Sequence, residues 1–219
     1  MRLLIVSPHP DDETLGAGGT LLKYKKSGAK IFWLNFTDMK EDYGFSSAQV
    51  NKRQSVIRKI ISGYRVNGFY NFELRPAGLE GYPLRDLIKR TAAVVREVSP
   101  EVVILPFKND IHSDHRIVFE AVYPCMKVFR APSIKKVLAM EIVSETDFAL
   151  SRKGFVPNYF VDISGFLERK LRLIKIYGGQ TQQHPFPRSL KNLKALAVHR
   201  GATAGCKYAE GFSLLKEIA

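Results

Sequence analysis

Short apolar runs alternate with helical patterns over the first two thirds of this chain. The runs predicted to be buried strands are residues 3–6, 31–36, 67–73 and 102–106. The segments predicted to be helices are residues 14–27, 49–62, 83–98 and 115–129. Apolar strands separated by helices are typical of a parallel sheet covered on both faces. The sequence therefore predicts an α/β fold, a single Rossmann-like domain with a mostly parallel sheet flanked by helices.

The last third of the chain has a less regular pattern. Strands are predicted at residues 137–142 and 159–163, and helices at residues 167–177 and 188–203. Residues 38–47 and 178–187 are predicted loops, the second being rich in Gln and Pro. Neither a linker nor an internal repeat divides the sequence, so residues 1–219 are predicted to form one domain. The C-terminal third is expected to cover the active-site rim.

Composition narrows the class of protein. Hydrophobic residues make up 45% and charged residues 25% of the chain, which is ordinary for a soluble globular protein. The sequence lacks an apolar run long enough for a transmembrane segment, and its N-terminus does not resemble a signal peptide. Cys125 and Cys206 are far apart, which argues against a disulfide framework. A cytoplasmic protein is the expectation.

The formal net charge of +13 has two interpretations. It reflects either a solvated basic surface or an anionic partner, such as a substrate, a membrane face or a nucleic acid. The basic residues are dispersed and do not form a compact block interleaved with aromatic residues, so nucleic acid is the least favoured partner. A small anionic substrate, such as a phosphorylated or nucleotide-linked sugar, suits this charge better than a neutral one.

Two clusters of histidine and acidic residues follow predicted strands. The first comes after residues 3–6 and contains His9, Asp11, Asp12 and Glu13. The second comes after residues 102–106 and contains Asp110, His112, Asp114 and His115. The carboxyl ends of parallel strands share one edge of a sheet, so both clusters are expected on the same rim. Neighbouring carboxylates repel each other, and a metal ion removes that conflict. The sequence predicts a mononuclear metal site for hydrolysis.

Imidazole and carboxylate ligands are typical of a catalytic Zn²⁺, although Fe²⁺, Co²⁺ or Mn²⁺ accept them too. His9, Asp12 and His115 are the predicted ligands. A zinc ion lowers the pKa of the water that it binds to about 7. Asp11 adjoins a ligand and must point elsewhere, so it is the candidate general base.

His112 is a candidate to stabilise the oxyanion or to protonate the leaving amine, and Asp114 or Asp110 is a candidate to hold its ring. Capping of the following turn is an equal alternative for Asp110. Glu13 is expected outside the ligand set. His184 and His199 lack acidic neighbours and are not expected to bind metal. The glycine run at residues 16–19 does not have the spacing of a dinucleotide site.

The two clusters, Pro8-His9-Pro10-Asp11-Asp12-Glu13 and Asp110-Ile111-His112-Ser113-Asp114-His115-Arg116, resemble those of the PIG-L/LmbE-like zinc-dependent N-acetyl-sugar deacetylases. The resemblance implies a Rossmann-like fold and removal of the N-acetyl group from a glucosamine-type sugar. It implies zinc ligation by His9, Asp12 and His115. It also implies that Asp11 deprotonates the zinc-bound water, and that His112, partnered by Asp114, stabilises the tetrahedral intermediate.

Weaker similarities to this family extend along the chain. They imply substrate-binding roles for Thr37, Arg53, Tyr177 and Gln180. Val56 stands where the family's arginine motif usually has a glutamate. Residues 155–164, 177–180, 200–201 and 208–212 resemble a branch linked to glycoconjugate biosynthesis, in which Glu210 lines or supports the pocket. The family also implies a homo-oligomer.

Three functional hypotheses follow. The leading one is a zinc-dependent N-deacetylase of an amino-sugar substrate. The second keeps the metal and changes the substrate to another amide or a phosphoester. The third is a non-catalytic binding protein on the same fold. The sequence specifies neither the sugar nor the native metal, because fold does not determine substrate.

Overall fold

The computed structural model describes residues 1–150, 152 and 154–218. Its seven strands are β1 (Arg2–Ser7), β2 (Lys30–Thr37), β3 (Gly68–Leu74), β4 (Val102–Pro106), β5 (Lys136–Met140), β6 (Tyr159–Asp162) and β7 (Ala209–Glu217). They form one sheet in the order β3-β2-β1-β4-β5-β7-β6. The strands β1 to β5 pair in parallel, while β7 runs antiparallel to both β5 and β6. The prediction of a single α/β domain with a mostly parallel sheet is confirmed.

Helices cover both faces of the sheet. They are α1 (Asp12–Lys26), α2 (Ser47–Tyr64), α3 (Leu84–Val98), α4 (Ser113–Val122), α5 (Leu167–Ile176) and α6 (Leu190–Ala204). Successive β1 side chains point to opposite faces, as a strand requires. Leu3 and Ile5 pack in a core with α1, α2, α5 and α6, whereas Leu4 and Val6 pack in a second core with α3 and α4. None of the helices described here is long and apolar enough to cross a membrane.

The structure differs from the sequence prediction in two segments. The sequence predicts no strand over residues 209–217, yet they form β7 between β5 and β6. A glycine and a serine interrupt the apolar residues of β7, and its second half is only partly buried, so the usual strand pattern is weak. The helix predicted to reach residue 129 ends at Val122, and a 3₁₀ turn that includes Pro124 follows.

The glycine run in α1 permits close packing of this helix against its neighbours. A Cβ atom on Gly18 would lie 2.7 Å from the Tyr64 hydroxyl, and one on Gly19 would lie 2.7 Å from Ile163 Cγ2. These distances are shorter than real Cβ contacts. The absence of side chains therefore lets α1 approach its neighbours, which fixes the position of its first turn at the sheet edge.

A buried ion pair contacts the middle of α1. Lys170 Nζ lies 2.7 Å from Glu210 Oε1, and both side chains are less than 10% exposed. The Glu210 carboxylate also accepts the backbone N–H groups of Gly19 and Thr20, at 2.8 and 2.7 Å. Lys170 Nζ donates to the Leu15 carbonyl at 2.7 Å. We call these two side chains and the α1 groups that they bind the ion-pair cluster.

Candidate metal centre

The first predicted cluster lies in the tight turn between β1 and α1. Asp11, directly before the helix, has φ 148° and ψ −28°, a conformation that costs a non-glycine residue about 1–3 kcal/mol. Neighbouring side chains support the turn. The Thr37 hydroxyl donates to the Pro8 carbonyl at 2.8 Å, and Arg53 Nη1 donates to the Pro10 carbonyl at 2.7 Å. The surrounding structure thus holds the turn in a strained shape.

The second cluster meets the first at the carboxyl ends of β1 and β4, as predicted. The ring centroids of His9 and His112 are 4.7 Å apart, and those of His9 and His115 are 5.4 Å apart. His115 is buried at the start of α4, and His112 precedes that helix. The sheet therefore brings together residues that lie about 100 positions apart in the chain, such as His9 and Asp114, with a separation of 105.

Two of these histidines share one arrangement. His9 Nε2 lies 2.9 Å from Asp114 Oδ2, and His115 Nδ1 lies 2.8 Å from Asp110 Oδ2. The opposite ring nitrogens, His9 Nδ1 and His115 Nε2, each lie 3.3 Å from Asp12 Oδ2. A histidine that binds a metal through one ring nitrogen usually donates the N–H of its other ring nitrogen to a carboxylate. We call His9, Asp12, Asp110, Asp114 and His115 the metal-site cluster.

Asp12 has one oxygen without a protein partner. Its Oδ2 accepts the His9 backbone N–H at 2.9 Å, whereas its buried Oδ1 receives no hydrogen bond from any residue that the structure describes. An unsatisfied buried carboxylate oxygen is costly, and a cation is one way to satisfy it. The donor atoms of His9, Asp12 and His115 lie within 4.8 Å of one another. This donor set fits a divalent metal such as zinc.

The charges of the metal-site cluster raise the proton affinity of both histidines. Burial alone lowers the pKa of His9, but hydrogen bonds to Asp114 and Asp12 outweigh it and raise the pKa to about 9. Burial also lowers the pKa of His115, and the Asp12 charge with the hydrogen bond to Asp110 raises it to about 10. The negative charge of the carboxylates that attracts these protons also attracts a cation. A bound cation would compete with protons for His9 Nδ1 and His115 Nε2, the two ring nitrogens that face Asp12.

A second possible metal-binding set combines His9, His112 and Asp114. The Asp114 carboxylate is already occupied, because it accepts the backbone N–H groups of Ala77 and Leu79 at 2.7 and 3.1 Å. It also faces His9 Nε2. Orienting His9 is therefore the better interpretation of Asp114, and the first set is the favoured metal site.

The structure gives His112 a different contact from the one expected. Its ring does not bind the Asp114 carboxylate; instead its Nδ1 accepts the Asp114 backbone N–H at 3.1 Å, as the N-cap of α4. This bond assigns the proton of the neutral ring to Nε2. Burial and the charges of His9 and His115 lower the pKa of His112. A neutral ring with an Nε2–H donor is thus favoured. Asp110 holds His115 rather than His112.

Asp11 is buried beside the metal-site cluster. Burial and the charge of Asp12 raise its pKa to about 6, against the opposing effect of Arg188. Arg188 Nη1 lies 3.1 Å from Asp11 Oδ2. A carboxylate with a pKa near neutrality suits proton transfer at physiological pH.

Sequence reasoning missed Arg188, which was predicted to be only the first residue of a helix. The helix α6 begins at Leu190, and the Arg188 guanidinium points back to the site. It donates to Ser144 Oγ at 2.7 Å, to Glu145 Oε1 at 2.9 Å and to Gln180 Oε1 at 3.1 Å. A separation of 177 residues from Asp11 explains why local sequence gave no signal.

Glu13 belongs to a buried hydrogen-bonded network outside the predicted ligand set. Its carboxylate accepts the Tyr177 hydroxyl at 2.7 Å and the Asp11 backbone N–H at 3.0 Å. The Thr14 hydroxyl also donates to it, and the Tyr64 hydroxyl donates to Thr14 at 3.0 Å. Burial raises the pKa of Glu13 to about 7. The network connects the strained turn to α2 and to the end of α5.

The four predicted substrate-binding residues fall into two groups. Arg53, Tyr177 and Gln180 line a cavity beside the β1–α1 turn. Thr37 is buried, and its hydroxyl is used by the Pro8 carbonyl, so it supports the turn. Glu210 lies in the ion-pair cluster rather than at the metal site. His184 and His199 are exposed, away from both possible metal-binding sets.

The model of the PIG-L family, described as GlcNAc-PI de-N-acetylase, matches residues 4–126. The match covers both histidine clusters and more than half of the chain. The protein therefore belongs to the PIG-L family, which confirms the resemblance. Its sequence is 28% identical over 229 residues to the diacetylchitobiose deacetylase of Thermococcus kodakarensis, an alignment that covers 99% of this chain and 84% of that relative.

Solved structures confirm the fold. The N,N'-diacetylchitobiose deacetylase of Pyrococcus horikoshii superimposes with a TM-score of 0.76 at 22% identity, covering 98% of this chain and 84% of that one. GalB, the 4-carboxy-2-hydroxymuconate hydratase of Pseudomonas putida, superimposes with a TM-score of 0.76 at 18% identity, covering 100% and 97%. These two enzymes catalyse different reactions, so the fold alone does not decide the chemistry.

Proposed function

We propose that this protein is a divalent-metal-dependent N-deacetylase of N-acetylglucosamine-type sugars. The observation that carries the proposal is the arrangement of Asp12: its Oδ2 lies 3.3 Å from one ring nitrogen each of His9 and His115, and its Oδ1 is buried without a partner among the described residues. Carboxylates hold the other ring nitrogen of both histidines. Membership of the PIG-L family and similarity to a diacetylchitobiose deacetylase support the reaction and the sugar class.

His9, Asp12 and His115 would hold the metal, and zinc suits these donors. When bound, the cation supplies Lewis-acid activation of water and of the acetamide carbonyl. Asp11 accepts the proton of the attacking water, for which its pKa of about 6 is suited. The same carboxyl group then delivers that proton to the departing nitrogen as the C–N bond breaks, giving acetate and the free amine.

His112 stabilises negative charge as it develops on the carbonyl oxygen. Its Nδ1 is occupied by the Asp114 backbone N–H, which leaves the Nε2–H to donate to that oxygen. Arg188 is a positioning residue in this scheme, because it binds one oxygen of Asp11 and leaves the other for proton transfer. The hydrogen bonds of Arg188 to Ser144 and Glu145 fix its own orientation.

The proposal is tested by acetate release from N-acetylglucosamine, diacetylchitobiose and conjugates of N-acetylglucosamine, with the zinc-loaded and the metal-stripped protein. We expect metal-dependent release, and a loss of about 10²–10⁴-fold in kcat in Asp11→Asn with zinc still bound. Asp42→Asn, in an exposed carboxylate, is the matched control. An Asp11→Asn variant as active as wild type would refute the assignment of the base. Phosphate release from phosphoesters without any acetate release would favour the alternative function, that of a metal-dependent phosphoester hydrolase.

A further inference from the structure

A cavity of about 190 Å³ adjoins the β1–α1 turn. The residues that define its character are Met39, Lys52, Arg53, Val56, Tyr177 and Gln180. They come from the loop after β2, from the first half of α2 and from the end of α5. The volume is far larger than the ~10–15 Å³ that one water molecule needs. It therefore has room for a substituent of a sugar.

The cavity has positive charge without a paired acid. Lys52 and Arg53 both line it, whereas its lining residues include neither Asp nor Glu. Neither cation forms an ion pair with a carboxylate in the described part of the chain. Val56, one turn after Arg53, adds only apolar surface. Asp11 and Asp38 lie within the electrostatic influence of Arg53, but Arg188 binds the first and Asn71 the second.

The cavity also connects to the groups assigned to catalysis. Arg53 Nη1 donates to the Pro10 carbonyl, in the turn that carries Asp11. The Gln180 Oε1 atom accepts Arg188 Nη1, which itself reaches Asp11. With its oxygen so engaged, the Gln180 amide turns its N–H donors away from Arg188. A sugar whose acetamide lies at the metal site would therefore extend a substituent toward this cavity.

We propose that the cavity is a subsite for a phosphate group carried by the amino-sugar substrate. The proposal rests on the deacetylase function and names its substrate class. A guanidinium, an ammonium and an amide together provide donors on several sides of a tetrahedral anion. The apolar surfaces of Met39 and Val56 contact the neighbouring carbon atoms of the same substituent.

The first test measures binding without deacetylation. Calorimetry compares glucose 1-phosphate with methyl glucoside, neither of which has an acetamide, on the zinc-loaded protein. We expect only the phosphate to bind measurably, and Lys52→Ala to weaken it about tenfold, as loss of a charge-assisted hydrogen bond does. Lys52 is exposed, so this variant should fold. Lys59→Ala, an exposed lysine later on α2, is the matched control and should bind like wild type.

The second test measures kcat/KM on N-acetylglucosamine 1-phosphate and on the neutral methyl glycoside. Lys52→Ala and Val56→Glu should lower the ratio of the phosphate value to the neutral value about tenfold or more, whereas Lys59→Ala should leave both values unchanged. Equal binding of phosphate and neutral sugars, or an unaffected Lys52→Ala, would overturn the subsite. Phosphate binding without acetate release from any substrate would instead overturn the deacetylase function and leave the anion site in place.

Discussion

Two buried charge clusters contact helix α1, and they differ in how many of their polar atoms have a hydrogen-bond partner. In the ion-pair cluster, both oxygens of Glu210 accept hydrogen bonds, and Lys170 binds both Glu210 and a backbone carbonyl. In the metal-site cluster, Asp12 Oδ1 is buried without a partner among residues 1–150, 152 and 154–218, and the preceding Asp11 has a strained backbone. Fewer than ten residues of one helix separate a completed network from an incomplete one.

The difference indicates what each cluster is for. A buried ion pair that satisfies all of its hydrogen bonds fixes the relative positions of α1, α5 and β7. A buried carboxylate with one unpartnered oxygen, next to a strained residue, lowers the stability of the fold, and a ligand that binds this oxygen can offset the loss. The comparison predicts that substitutions in the first cluster affect stability and that substitutions in the second affect metal binding and catalysis.

The largest expected effect is that of Asp12→Asn. The neutral amide removes the central charge of the donor set, so metal binding and metal-dependent activity should both fall below detection. Competition with a chromophoric chelator measures the affinity for the metal, and circular dichroism checks that the variant is folded. Glu120→Gln, in an exposed acid on α4, is the control. Zinc bound as tightly as in wild type would contradict the assignment of Asp12.

Lys170→Met should have the opposite profile. Breaking a buried pair leaves the Glu210 charge uncompensated, and we expect the free energy of unfolding to fall by about 3–5 kcal/mol. The folded fraction should still bind one metal ion. Urea unfolding gives the value, with Lys26→Met at the end of α1 as the exposed control. A change below about 1 kcal/mol would mean that the pair contributes no more than a surface ion pair does.

His112→Ala distinguishes the two possible metal-binding sets. If His9, Asp12 and His115 hold the metal, zinc stoichiometry should stay at one while kcat falls by roughly 10²–10³-fold, the usual result of losing an oxyanion donor. Stoichiometry and kcat are measured on the same preparation. Loss of the metal together with activity would favour the set that includes His112 and Asp114.

Arg188→Ala should have a smaller effect on catalysis. Removal of a group that orients a catalytic side chain typically costs about 10–100-fold, and we expect this loss in kcat with little change in KM. Guanidinium ion added to the variant should restore part of kcat. In an Asp11→Asn background the same substitution should cost little more, since Arg188 acts through Asp11. Equal losses in both backgrounds would assign Arg188 a merely structural role.

The smallest expected effect belongs to the packing beside the ion-pair cluster. Gly19→Ala places a methyl group against three atoms of Ile163 at 2.7–2.8 Å, which outweighs the helix propensity that alanine adds. Thermal unfolding should show a net destabilisation of about 1 kcal/mol. Gly165→Ala is the control, because no atom of the part of the chain that the structure describes lies within 4 Å of the new Cβ. Stabilisation of Gly19→Ala would show that α1 moves away without cost.

Much of the site could be predicted because the sequence places its residues at strand ends. The apolar runs before His9 and Asp110 predicted strands β1 and β4, and parallel topology then brought both clusters to one rim. Strand β7 could not be predicted with equal ease. Its pairing with β5 and β6 is formed between segments distant in the chain, and its interrupted apolar pattern carries little local information.

The sequence by itself determined the α/β class, the PIG-L family motifs and the candidate donor set, since each depends on residue type and on spacing within a few positions. Only the tertiary structure decided which histidine nitrogens face Asp12, that Arg188 binds Asp11, and that Lys170 and Glu210 contact the middle of α1. Apart from the contact between His9 and Asp12, which are three residues apart, these contacts join groups that are 40 to 191 residues apart in the chain. They form only when the folded chain buries these groups together, so the local pattern of apolar and polar residues does not predict them.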